Sequence, residues 1–299
     1  MSKSILVTGV GGQVGWELMR SLQGLGNVVG LDRQRLDIAS PDAIRTAIRE
    51  YQPSLIVNPA AYTAVDKAEE ERDLAMRVNG IAPGVIGEEA KRIGATVIHY
   101  STDYVFDGTQ AEPYTEVDTP NPVNFYGQTK LIGEQALAAS GAAHIVFRTS
   151  WVYGVRGKNF LLTMLRLARE RDELRVINDQ HGAPTWSRSI ADITAHVVAK
   201  GSRGTSLDLD WIRGLGGIIN LAAAGETTWH GFAQAIFDLA QLDRKPVVVP
   251  IPTSEYPLPA KRPIYSRLST TRLTNIVGHV PHWSDMLALA MADLRAVQR

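Results

Sequence analysis

Tyr126 and Lys130 stand four apart in Tyr126-Gly127-Gln128-Thr129-Lys130, and on a helix that spacing puts a phenol and an ammonium on one face. A phenol ordinarily ionises near pH 10, so it moves protons poorly at neutral pH unless a nearby positive charge favours the phenolate. Lowering it by about three units takes roughly 4 kcal/mol of differential stabilisation, a large part of which one lysine supplies at short range in a desolvated site. Such a pair suits proton delivery to a carbonyl whose hydride comes from a nicotinamide cofactor. The spacing alone is a weak signal, because a helix with a packed Tyr and a solvated Lys shows it too. Its position strengthens it: the pair follows Ser101-Thr102-Asp103, which ends an apolar run reading as a strand.

The second constellation is Thr8-Gly9-Val10-Gly11-Gly12-Gln13-Val14-Gly15, placed directly after the run Ile5 to Val7 and opening a helix at about Gln13. Glycines there permit a tight turn and let a pyrophosphate approach backbone amides and the positive end of a helix dipole. Gly9, Gly12, Gln13, Val14 and Gly15 are therefore candidate cofactor residues. Asp32 lies 20 residues past Gly12, where a carboxylate can accept hydrogen bonds from an adenosine ribose. Arg33 and Arg35 follow at once and could instead pair with a 2'-phosphate, which leaves NADH and NADPH both open. Asp37 and Ile38 fall where adenine would lie, with an ordinary turn as the other reading of Asp37. Ala61, Tyr62 and Thr63 follow the third apolar run, and Tyr100 closes the fourth, both at the ligand edge of such a sheet.

These residues need a scaffold, and the chain supplies one. Runs at Ile5 to Val7, Val28 to Leu31, Leu55 to Val57, Thr96 to Tyr100 and His144 to Phe147 alternate with helix-length segments, one of them opened by Ser40-Pro41. That is βαβαβ order, and it predicts an α/β fold: a Rossmann-like doubly wound parallel sheet with a smaller C-terminal substrate-binding part. We assign 1–150 to NAD(P) binding and 151–299 mainly to substrate binding, interleaved with the first. Beyond Thr149 the pattern predicts helices at Phe160 to Arg171, near Ile190 to Lys200, from a Thr228 cap to about Gln241, and from about Trp283 to Val297. It predicts strands at Leu174 to Ile177 and Ile218 to Leu221. Residues 246–263 carry six prolines and read as an irregular wrapping segment.

Composition removes several classes. The 299 residues carry 31 basic and 31 acidic side chains, without the basic excess that nucleic-acid backbones usually require. There is no cysteine, hence no disulfide, thiolate zinc site or thiol nucleophile. No apolar run approaches the roughly 18 residues of a membrane span, and the N-terminus lacks a signal-peptide pattern, so a cytoplasmic, membrane-free protein is expected. The acidic run Asp66 to Asp73 reads as a solvated helix face. The seven histidines are dispersed, and no metal site is expected. Trp151 is read as core or as a platform for a sugar, and Arg262 and Arg267 as grips for a diphosphate or as surface residues.

TGVGGQVG, the Asp at the second strand end, NPAAYTAVDKAE, HYSTDYVFDG, YGQTK and FRTSWVYG together resemble the extended short-chain dehydrogenase/reductase family, and VINDQHGAPT, TTWHGFA and RPIYSRLST carry the likeness to nearly the whole chain. The resemblance implies reduction, by NADPH or NADH, of the 4-keto group of a nucleotide sugar, dTDP-4-dehydro-L-rhamnose, to dTDP-L-rhamnose. It implies Tyr126 as proton donor, Lys130 lowering its pKa and holding the nicotinamide ribose, and Thr102 bonding the substrate carbonyl, with Asp103 and Trp151 at sugar positions. Related dehydratases follow the Thr-Asp pair with Glu; Tyr104 stands there instead, which removes the acid that eliminates water. Some relatives are described as magnesium-bridged dimers. Glu17 matches one acidic position, but Arg188 stands near where a second carboxylate would be wanted, so a homodimer is compatible and a bridging metal is not expected. Two further readings stay open: a reductase or epimerase for another 4-keto-6-deoxysugar nucleotide, and a non-catalytic partner subunit of the methionine adenosyltransferase type.

Overall fold

The computed structural model describes residues 4–203, 206–207 and 209–297. The first half runs β1 (Ser4–Thr8), α1 (Gln13–Ser21), β2 (Asn27–Leu31), α2 (Pro41–Tyr51), β3 (Leu55–Asn58), α3 (Arg72–Ala75), α4 (Ala82–Ile93), β4 (Thr96–Thr102), α5 (Phe125–Ala139) and β5 (Ala143–Thr149). The second half continues β6 (Val152–Tyr153), α6 (Phe160–Glu170), β7 (Glu173–Ile177), β8 (His181–Gly182), β9 (Thr185–Trp186), α7 (Ser187–Lys200), β10 (Ser202–Arg203), β11 (Ser206–Leu207), α8 (Leu209–Leu215) and β12 (Gly217–Asn220). It ends with β13 (Thr227–Thr228), α9 (Trp229–Leu239), β14 (Val247–Ile251), α10 (Thr271–Val277) and α11 (Trp283–Val297).

Six strands form one parallel sheet in the order β12-β5-β4-β3-β1-β2. The chain leaves β1 toward β2 on one side and β3 on the other, and such a reversal opens a crevice at the carboxyl ends of the strands. Both faces of the sheet are covered, so its strands read as unbroken apolar runs. Ile5 and Val7 join the core shared with α1 and α7, while Leu6, one residue out of phase, joins the opposite core with Ile44 and Ile48 of α2. A third core packs Tyr153, Leu161, Phe232 and Met286 between the C-terminal helices.

The helix starts follow cap chemistry. Ser40 accepts from the Ala43 amide at α2, Asn124 from Gly127 at α5, Asn159 from Leu162 at α6 and Thr228 from Gly231 at α9, each satisfying an otherwise unpaired N–H. Between α3 and α4 the helix widens into a π segment over Met76–Ile81, a feature that often marks functional sites. Two expectations need correction. The proline-rich stretch is not wholly irregular: Val247–Ile251 pairs in parallel with Glu173–Ile177, and because this pair stands alone as a two-stranded sheet, Pro250 sits where a missing N–H is tolerated. The Asp66 to Asp73 run is not simply a solvated face. Asp66 pairs with Arg262, Glu69 accepts from the Phe125 amide at the start of α5, and Glu71 accepts from the Tyr62 hydroxyl. Among the described residues no helix is long and apolar enough to cross a membrane.

Candidate active site

A cleft of about 770 Å³ opens at the carboxyl ends of the strands. The glycine turn forms one wall. Gly9 has φ +57°, and a Cβ there would stand 2.8 Å from the Cβ of Ala60 at the end of β3. A Cβ on Gly15 would stand 2.3 Å from the Gly9 carbonyl oxygen. Only glycine closes this turn. Gly12 caps α1 without a side-chain hydrogen bond, and the first turn of α1 holds no acid, so the helix terminus keeps its affinity for an anion. Gly9, Gly12, Gln13, Val14, Gly15, Arg33, Asp37, Ile38, Ala61, Tyr62 and Thr63 all line the cleft.

Asp32 does not belong to the lining; its carboxylate accepts from the amides of Gln34 and Arg35 at 3.1 and 3.0 Å and so builds the turn after β2. Arg35 turns away as well, donating to the Gly30 carbonyl at 3.0 Å and to the Tyr51 hydroxyl. Of the two arginines read as 2'-phosphate partners, Arg33 alone lines the cleft. Tyr100 divides its functions. Its hydroxyl lies 2.9 Å from Thr194 in the core, while its carbonyl oxygen accepts from Lys130 at 2.6 Å.

At the cleft floor α5 presents Tyr126 and Lys130, and the end of β4 presents Thr102 and Asp103. Burial pushes the Tyr126 phenol up to about 12, with the nearby Thr102 hydroxyl opposing it; that hydroxyl itself donates to Asp103 Oδ1 at 3.0 Å. In the protein alone Tyr126 is thus firmly protonated. Burial pulls the Lys130 ammonium down to about 8, opposed by Glu134. Asp103 is driven up to about 7 by burial, against the pull of nearby Ser266 and of the hydrogen bond from Thr102 to Oδ1, and its buried Oδ2 has no hydrogen-bond partner. Tyr104 packs edge-on to Tyr126 with ring centroids 6.0 Å apart, and no acid occupies its position. A protonated phenol beside a threonine hydroxyl, with an ammonium on the same helix face, can give a proton to a bound carbonyl oxygen.

The opposite wall comes from the second half of the chain. Trp151 stacks on Trp229 with ring centroids 3.7 Å apart and planes 6° from parallel, and both line the cleft. A Cβ at Gly182 would stand 2.6 Å from the Trp151 ring. Asn159 donates from Nδ2 to Gln13 Oε1 at 2.9 Å, joining this wall to the start of α1. Arg156 lies 3.5 Å over the Trp16 ring, and its buried Nη1 has no hydrogen-bond partner. Arg262 stands outside the lining, donating to Asp66 at 2.7 Å and leaning on Tyr104. Arg267 pairs with Glu226 at 3.4 Å. Of the two, Arg262 is the more buried, its side chain 13% exposed against 36% for Arg267.

Several residues that shape this cleft escaped the sequence reading. Asn79, fully buried in the π segment, clamps the backbone of Tyr62 through both its amide groups, each at 2.9 Å, and donates to Thr129 at 3.2 Å. His99 approaches Lys130 from β4, and Asn58 approaches His99 from β3. The signal for the last two was present: a buried strand that should be wholly apolar carries a polar residue, which demands a partner. Among the described residues no cluster of three or more His, Asp or Glu could hold a metal.

The open glycine wall, the uncapped start of α1 and the unpartnered Arg156 nitrogen suit a dinucleotide with its pyrophosphate. Residues 3–296 match the RmlD substrate binding domain family. The chain is 48% identical over 297 residues to dTDP-4-dehydrorhamnose reductase of Burkholderia thailandensis, covering 97% of this chain and 98% of that one. It is 44% identical over 289 residues to the enzyme of the same name from Escherichia coli K12, covering 94% of each. Its structure resembles the crystal structure of dTDP-4-dehydrorhamnose reductase from Bacillus anthracis in complex with NADP, with a TM-score of 0.88, 33% identity, and coverage of 98% and 100%.

Proposed function

The chain belongs to the dTDP-4-dehydrorhamnose reductase family and is an NAD(P)-dependent reductase; we propose that it reduces the 4-keto group of dTDP-4-dehydro-L-rhamnose to give dTDP-L-rhamnose. The observation that carries the reading is that Tyr126, Thr102 and the buried Lys130 line the same cleft as the glycine turn.

The bound nicotinamide supplies hydride; the rest is the work of this chain. Gly9, Gly12, Gln13, Val14 and Gly15 receive the pyrophosphate, with Arg33, Asp37 and Ile38 at the adenosine end and Ala61, Tyr62, Thr63 and the Tyr100 backbone along the β3 and β4 edges. Arg33 favours the 2'-phosphate of NADPH by charge. Thr102 orients the ketone, Tyr126 gives its proton to the carbonyl oxygen, and Lys130 holds the ribose and offsets the charge that the phenol is left with. A phenol held up near 12 by burial starts out protonated, which suits the reducing direction. Asp103 and the Trp151 and Trp229 pair hold the sugar, and Arg262 bears on the site through Tyr104 rather than by gripping the diphosphate. Tyr104 in place of an acid supports reduction without dehydration. On this reading 1–150 carries the dinucleotide and 151–299 most of the substrate contacts. The test is oxidation of NADPH and NADH, followed at 340 nm, with freshly made dTDP-4-dehydro-L-rhamnose. NMR of the product is expected to show dTDP-L-rhamnose; no turnover with either cofactor rejects the proposal.

A further inference from the structure

We infer that His99 is a positioning residue for the reduction: its neutral ring offers the Nε2 lone pair to the Lys130 ammonium and thereby fixes the direction and the charge of the lysine that serves Tyr126. The inference rests on the roles proposed above for Tyr126 and Lys130.

An ammonium has three N–H donors and no acceptor. One N–H of Lys130 goes to the Tyr100 carbonyl at 2.6 Å and a second faces His99 Nε2 at 3.3 Å, which leaves the third for the cleft that Lys130 lines. Because the ammonium only donates, Nε2 carries the lone pair, and a neutral imidazole then bears its proton on Nδ1. The Asn58 main-chain carbonyl oxygen, 3.2 Å away, accepts that proton; the Asn58 Nδ2 donor, 3.1 Å from the same nitrogen, pulls toward the other tautomer, so the ammonium at Nε2 decides between them. The Asn58 side chain is held in turn by Thr8, whose hydroxyl donates to Oδ1 at 2.6 Å. A chain of contacts thus runs from the strand before the glycine turn, across β3 and β4, to the lysine on α5.

His99 is 1% exposed. Burial and the adjacent ammonium hold its pKa well below the ordinary histidine range, so the ring stays an uncharged acceptor at working pH. Beyond the pair itself, the charged and titratable groups that act on it are Glu134 on α5 and His144 on β5. Glu134 alone raises Lys130, and Arg148 of β5 already engages it at 2.7 and 3.0 Å. Without the Nε2 acceptor, a buried N–H of the ammonium loses its partner and the charged form becomes costlier. Lys130 then loses its proton at a pH below its present value of about 8.

Nitrogen-15 NMR of the histidine-labelled full chain at neutral pH reads the tautomer directly. A proton on Nδ1 and a bare Nε2 at His99 are expected; a proton on Nε2 overturns the inference. This readout needs no turnover, so it stands even if dTDP-4-dehydro-L-rhamnose proves not to be the substrate. In the reductase assay, His99→Leu is expected to lower kcat about 10-fold or more and to move the alkaline limb of the pH profile downward. His99→Gln restores an acceptor and is expected to return the limb toward its original place. A loss of kcat in His99→Leu with the limb unmoved reduces His99 to packing and overturns the inference. Should His99→Leu fail to fold, the tautomer measurement decides alone.

Discussion

The two walls of the cleft are built by different means. The glycine-turn wall is made of strand ends and main chain, and the sheet register that sets Ile5 beside Val28 and Leu55 holds it in place. The tryptophan wall is made of side chains that meet from distant parts of the chain: Trp151 stacks on Trp229, and Asn159 reaches Gln13 across 146 positions. The first wall is therefore intolerant of added atoms at Gly9 and Gly15 and indifferent to most side chains around them. The second is the reverse, since removing one ring or one amide removes its partner's support. Tyr126 and Lys130 sit at the join.

Truncating the join is expected to produce the largest effect. Tyr126→Phe should cut kcat by about 10³-fold or more, within the range for a lost general acid, while dinucleotide affinity by fluorescence titration stays within about twofold. The sheet side has its own weak point in the buried fork between Arg148 and Glu134, both under 5% exposed. Arg148→Met leaves a buried carboxylate without its cation and is expected to cost about 3–5 kcal/mol in urea unfolding; a loss below 1 kcal/mol would mean that this wall does not depend on the pair. On the other wall, Trp229→Ala removes the stack under Trp151 and is expected to raise the KM for the nucleotide sugar about 10-fold. The KM for the dinucleotide should hardly change, and equal rises in both would erase the distinction between the walls.

The last expected effect is one of pH. Burial raises Asp103 from its ordinary range to about 7, so between about pH 4 and 7 the folded state binds a proton that the unfolded chain has released. Stability from this group is full at low pH and is lost as pH rises through 7. Asp103→Asn, which cannot ionise, is expected to gain in Tm over the parent as pH rises from 4 and to hold its greatest lead above pH 7. Parallel Tm curves for the two would place the Asp103 carboxylate in water.

The same division governs what the sequence disclosed. The glycine turn and the Tyr126 and Lys130 pair act through backbone and through helical spacing, both local, so they could be read residue by residue. Trp229 could not, because its meaning lies in facing Trp151. Asn79 was hidden by the π segment, which turns it toward Tyr62 in a way that no regular helical period anticipates. Arg35 misled for the converse reason: its charge suits a phosphate, but the Gly30 carbonyl and Tyr51 lie closer to hand. Val247–Ile251 forms a strand despite Pro250 within it and Pro246 and Pro252 at its ends, because a single neighbour in register sufficed.

Trp151 has a φ of +45°, in the left-handed region where a bulky side chain costs of order 1–3 kcal/mol. The chain bears that strain at a residue whose ring faces the cleft, so Trp151→Gly would relieve the backbone while erasing the platform. Relief of the backbone and loss of the stacked ring would then oppose each other in stability, which marks the position as one held for where its ring points and not for the ease of its main chain.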